Sequence, residues 1–190
     1  MNIEELESKL EGGIETISLD VKCACDWSVD SLAKDILAMS NLKDGGYIII
    51  GVEDNTFNRQ GITPKQKETY NIDIMRDQMA PYADPYVNFT VEYLKDKNGK
   101  EYAVIKVLPF EEVPVICKKD SRDTKKGTIY YRNKDARVNS GSVSNSYDMR
   151  DMIETATIKM MKRRIEAGFT MSLSEGESSF KKFNKELEGL

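Results

Sequence analysis

The chain contains no histidine. That absence removes serine–histidine–aspartate triads, cysteine–histidine dyads and histidine-based ribonuclease chemistry. Any catalysis must fall to Asp, Glu, Lys or Tyr, or to a water bound to a metal. The three cysteines, Cys23, Cys25 and Cys117, have no framework spacing, which argues against a disulfide scaffold. Cys23-Ala24-Cys25 is not the C-x2-C pair of a zinc site, and no G-x4-G-K-[ST] phosphate loop occurs. What remains is a small set of charged side chains. Asp20 and Lys22 are two apart in a segment that alternates apolar and polar over 17–22, so they share one face of a strand. Asp54 lies just past the carboxyl end of a second strand, where open α/β sheets place ligands. Lys118, Lys119, Arg122, Lys125, Lys126, Arg132, Lys134 and Arg137 crowd one short stretch. They read as a loop that contacts phosphates, with Arg132 and Arg137 on or beside a strand. Tyr130 and Tyr131 could stack on bases, whereas Trp27 reads as packing.

The elements that must position these groups follow from periodicity. Ile3, Leu6 and Leu10 stand at helical spacing, and Gly12-Gly13 stops that helix. The alternating strand over 17–22 reads as half-buried. Ser28 caps a helix running to about residue 39, with Val29, Leu32, Ile36 and Leu37 turned inward. The β-branched run over 47–52 reads as a central strand covered on both faces. A helix over 70–79 ends at Pro81. Strands over 87–94 and 102–108 flank Asp96-Lys97-Asn98-Gly99, a hairpin signal with Asn-Gly at its tip. Shorter strands are expected over 113–117 and 128–132, then a Ser/Asn-rich loop. A long helix over 148–167 follows, capped by Ser146 or Asp148. The order implies an α+β (mixed α/β) fold, a mixed sheet with flanking helices.

Composition bounds the rest. At 190 residues with 39% hydrophobic side chains, the chain can bury one sizeable core. The expected organisation is one domain over 1–167 with a loosely attached polar tail over 168–190. No apolar run approaches the roughly 18 residues of a membrane span. The opening Met1-Asn2-Ile3-Glu4-Glu5 is acidic and polar, unlike a secretory signal. A cytoplasmic location is the expectation. A net charge of −4 disfavours indiscriminate nucleic-acid binding, but the cations are clustered, with Lys159, Lys162, Arg163 and Arg164 as a second group.

Four features resemble one family. They are Glu15-x4-Asp20-x-Lys22; Ala38-x-x-Asn41 followed by Gly45-Gly46-x4-Gly51-Val52-x-Asp54; the proline-bearing 107–116; and Tyr130-Tyr131-Arg132 after Gly127, with a helix beyond. In this order and spacing they are similar to the Schlafen AlbA_2 domain over about 8–160. The resemblance implies action on nucleic acid. In nuclease members it implies an acidic trio holding divalent metal, which falls here on Glu15, Asp20 and Asp54, with Lys22 beside them. Mg²⁺ or Mn²⁺ held by carboxylate oxygen would stabilise phosphate charge and activate water without histidine, and Lys22 would act as a point charge. The implied activity is an endonuclease, with RNA as the favoured substrate. Asp20 stands where the family usually has Glu, and the loop before Gly45 is one residue longer. Parity puts Glu15 on the apolar side with Ile17 and Leu19, so it joins the trio only if the chain turns or bulges near Thr16. Two other readings stay open: a non-catalytic DNA- or RNA-binding module, and a protein-interaction subunit, for instance a homodimer through the last long helix.

Overall fold

The computed structural model describes residues 1–54, 56–133 and 138–169, so the expected tail lies outside them from residue 170 onward. The elements in chain order are α1 (Ile3–Gly12), β1 (Leu19–Lys22), α2 (Val29–Ser40), β2 (Gly46–Ile50), α3 (Pro64–Thr69) and α4 (Ile72–Met79). A 3₁₀ turn (Ala80–Tyr82) leads to β3 (Ala83–Asp84), β4 (Phe89–Lys95), β5 (Glu101–Val107) and β6 (Ile116–Cys117). β7 (Tyr130–Asn133), β8 (Asn139–Ser142) and α5 (Ser146–Glu166) complete them.

Four strands form a mixed sheet in the order β1-β2-β5-β4, with β1 parallel to β2 and the other pairs antiparallel. The β-branched β2 is interior, as its apolar run requires. Ile48 and Ile50 join α2 and α4 in one core, while Ile49 joins Leu6 and Leu10 of α1 in a second core on the opposite face. The expected α+β architecture is therefore observed. Helix α2 is more deeply covered than its single stripe predicts. It lies against the sheet and also meets the β7–β8 hairpin, and all of its last six residues are buried.

The glycine pair before β2 has a backbone cause. Gly45 has φ +72°, and a Cβ there would lie 2.1 Å from the Val107 carbonyl oxygen. Gly51 has φ +109° and packs against the Gly61 backbone. Both positions need the freedom and absent side chain of glycine. At the β4–β5 turn, Asp96 Oδ1 accepts the N–H groups of Asn98 and Lys100 at 2.9 Å each, and Gly99 takes φ +81°.

Four details differ from the sequence expectation. Helix α3 was unforeseen, although Thr63 and Gln66 form a reciprocal capping box at its start. The short β3 pairs with β6, which is itself shorter than expected. The Ser/Asn-rich segment expected as a loop contains β8, paired with β7 through Arg132↔Ser140. Asn145, rather than Ser146 or Asp148, caps α5 by accepting the Asp148 N–H at 2.8 Å.

Candidate nucleic-acid interface and its acidic pocket

The chain does turn at Thr16. Thr16 N–H donates to the Leu19 carbonyl at 3.3 Å and Leu19 N–H to that of Thr16 at 3.1 Å. This closed turn folds Glu15 back beside β1, where its Oε1 accepts the Val21 N–H at 3.1 Å. The parity objection to Glu15 is thereby removed. β1 is a sheet edge, and Glu15 caps one of its outward amides.

Asp20 and Lys22 share a face, as alternation requires, but that face is largely covered, with Lys22 half-buried. It looks onto α2 and the β7–β8 hairpin, and Asp20 is only 2% exposed. Arg132 crosses to it from β7. Its Nη1 donates to Asp20 Oδ1 at 3.0 Å and to Ser140 Oγ at 3.4 Å, and its Nη2 to the carbonyls of Leu19 and Thr16 at 3.1 and 3.3 Å. Lys22 Nζ lies 2.6 Å from Asp20 Oδ2, outside hydrogen-bonding angles but a close ion pair. The same ammonium lies 3.2 Å from Asp35 Oδ2 on α2.

Glu15, Asp20, Lys22, Asp35, Asp54 and Arg132 line one pocket of about 350 Å³, together with Lys34 and with Asp123 from the basic loop. Burial raises the Glu15 carboxyl above the ordinary glutamate range; the Val21 amide opposes the rise and the neighbouring Asp20 carboxylate reinforces it. Burial also acts against the Lys22 charge, but the carboxylates of Asp35 and Asp20 outweigh it and hold that ammonium well above the ordinary lysine range.

The residues present do not fit the divalent ion implied by the resemblance. Among the described residues, no three acidic or cysteine side chains are gathered closely enough to hold an ion. Asp20 is already engaged by Arg132 and Lys22, whose ammonium stands between Asp20 and Asp35 where a cation would sit. Asp54 shares the pocket but is exposed at its rim.

The basic residues divide. Lys118, Lys119, Arg122, Lys125 and Lys126 are all exposed on the loop between β6 and β7. That loop is internally braced. Thr124 is buried, and its Oγ1 donates to the Lys119 carbonyl at 3.1 Å. Lys126 N–H donates to Asp120 Oδ1 at 2.9 Å, and Lys125 N–H to the Tyr130 hydroxyl at 2.8 Å. Arg132, expected to face phosphate, is instead 2% exposed and spent on Asp20 and the 16–19 turn. Arg137 and Lys134 lie outside the described residues. Tyr130 and Tyr131 are both buried, so neither offers a ring for base stacking. Trp27 packs edge-on to Tyr70 at 6.2 Å, as expected. In the second cluster, Lys159 donates to the Phe110 carbonyl and Arg163 pairs with Glu112.

One buried charge, Asp35, escaped the sequence reading, and Asn41 entered it only within a family motif, with no role assigned. Asp35 interrupts the apolar stripe of α2, three residues after Leu32 and four before Met39; a carboxylate there signals a buried cation. Asn41 is 1% exposed and ties the end of α2 to two other segments. It donates to the carbonyls of Val115 and Tyr130 at 3.0 and 2.9 Å and accepts the Val115 N–H at 2.7 Å.

Comparison with known proteins agrees with this architecture. The crystal structure of the DIP2311 protein from Corynebacterium diphtheriae superposes with a TM-score of 0.53 at 19% sequence identity. The match covers 81% of this chain and 28% of that one, so this chain spans under a third of its length. At that identity the likeness is one of fold. No curated protein matches the chain. A family profile described as Schlafen, AlbA_2 matches residues 15–139, running from Glu15 through the glycine pair to β8. With well over half of its length matched, the chain belongs to the Schlafen AlbA_2 family.

Proposed function

We propose that this domain binds nucleic acid, with backbone phosphates lying along the 118–126 loop and the strand passing the mouth of the acidic pocket. The observation that carries this reading is the braced loop, which exposes five cations against two carboxylates, Asp120 and Asp123. Among the described residues, the ammonium groups of Lys118, Lys125 and Lys126 pair with no carboxylate. Cations without internal partners, on a backbone already fixed by hydrogen bonds, can meet phosphate with little ordering cost. The family fits a nucleic-acid role.

Cleavage is the second reading, supported by the pocket shared by Glu15, Asp20, Lys22 and Asp54. In it Lys22 supplies a point charge toward phosphate, and Glu15, with its raised affinity for protons, can carry one. Labelled single- and double-stranded RNA and DNA, titrated with the full chain with and without Mn²⁺ or Mg²⁺, test both readings. Binding should weaken by about tenfold or more for Lys125→Glu combined with Lys126→Glu. Unchanged affinity in that variant would remove the loop from the interface. A shortened product that is lost in Asp54→Ala, an exposed change that leaves the denaturation midpoint in place, supports cleavage; product surviving Asp54→Ala excludes this pocket as its source.

A further inference from the structure

A pocket of about 220 Å³ is lined by Tyr86, Val87, Leu108, Phe110, Val113 and Val115. Its mouth is open and apolar: Tyr86 is 67% exposed, Val113 44% and Leu108 37%. Large apolar side chains grouped around one concavity, unlike scattered ones, mark a contact surface. Glu111 and Glu112 also line it, and since Glu112 pairs with Arg163, Glu111 is the rim carboxylate left without a salt bridge. Glu111 meets no cation among the described residues.

Helix α5 passes this rim. Lys159 Nζ donates to the Phe110 carbonyl at 2.6 Å, and Arg163 Nη1 pairs with Glu112 at 2.6 Å. Helix α5 ends at Glu166, and three residues beyond it the described chain reaches Phe169. The residues that follow include Phe180-Lys181-Lys182-Phe183, two aromatics enclosing two lysines. From Phe169 to Phe180 is 11 residues, a reach of roughly 35 Å when extended, ample for a return to the rim.

We infer that this groove is the docking site of the chain's own segment 180–183, with one of its phenylalanine rings in the apolar pocket and an adjacent lysine, Lys181 or Lys182, facing Glu111. The match is of size, apolarity and charge: one aromatic ring for a small apolar cavity, and a lysine for the one rim carboxylate without a salt bridge. It does not depend on the nucleic-acid reading.

The test uses methyl NMR of the full chain. Replacing Phe180→Ala and Phe183→Ala together should shift the methyl signals of Leu108, Val113 and Val115. A synthetic peptide of residues 176–190, added to that double variant, should bind saturably and return those signals toward the parent positions. Adding Val113→Glu to the double variant should weaken the peptide by about tenfold or more. Tyr86→Ala, at an exposed site, should do the same and serves if Val113→Glu fails to fold. Groove signals unmoved by the double substitution, or a peptide that does not saturate, would overturn the assignment. So would a dimeric mass in light scattering that becomes monomeric in the double variant, since that places the segment on a second copy.

Discussion

At the scale of single residues, the controlling fact is the company Asp20 keeps. A carboxylate this deeply buried is tolerable only when paired, and Arg132 and Lys22 both pair it. Removing one partner strands the other. Arg132→Met should therefore destabilise the fold by about 3–5 kcal/mol, read as a lower urea midpoint. A loss under about 1 kcal/mol would mean that the pair is solvated in solution. Glu15 makes the opposite prediction. Its carboxyl binds protons more tightly folded than unfolded, so between its unfolded and folded pKa values the native state holds more protons and stability falls as pH rises. Glu15→Gln removes that dependence while keeping an acceptor for the Val21 amide. The variant should gain on the parent as pH rises above the ordinary glutamate range. Parallel stability–pH curves for the two proteins would refute the raised pKa.

At the scale of elements, the site exists because two junctions hold. The turn at 16–19 brings Glu15 beside β1, and Arg132 locks that turn through two carbonyl oxygens. Asn41, at the end of α2, fastens the segments that become β6 and β7 with three buried hydrogen bonds. Since β7 delivers Arg132, the Asn41 amide supports the pocket without touching it. Asn41→Ala leaves a buried N–H and two carbonyls unpartnered and should cost about 2–4 kcal/mol. The denaturation midpoint should drop with little change in slope. A near-neutral Asn41→Ala would show that water replaces the amide.

At the scale of the whole molecule, segregation of charge matters more than its sum. The chain carries a net −4, yet the 118–126 loop is locally cationic and sits beside a pocket rich in carboxylates. Binding should therefore weaken steeply with salt, because phosphate contacts release counterions. Each lysine truly on phosphate should lower the slope of log affinity against log salt by about one unit when removed. A salt-independent affinity would point to apolar contacts and away from the loop.

Much of this was legible in the residues themselves. Absence of histidine restricted the possible chemistry; alternation put Asp20 and Lys22 on one face; and the β-branched run marked the interior strand. These are local properties, set by a few bonds of chain geometry. Which charges neutralise each other was decided only in three dimensions. Asp20 and Arg132 are 112 positions apart, and nothing in either segment's periodicity says that β7 will cross α2 and bury both. The same packing withdrew Arg132, Tyr130 and Tyr131 from the surface and left the 118–126 loop exposed. Burial is a property of what lies opposite a side chain, and that neighbour is chosen by the fold as a whole.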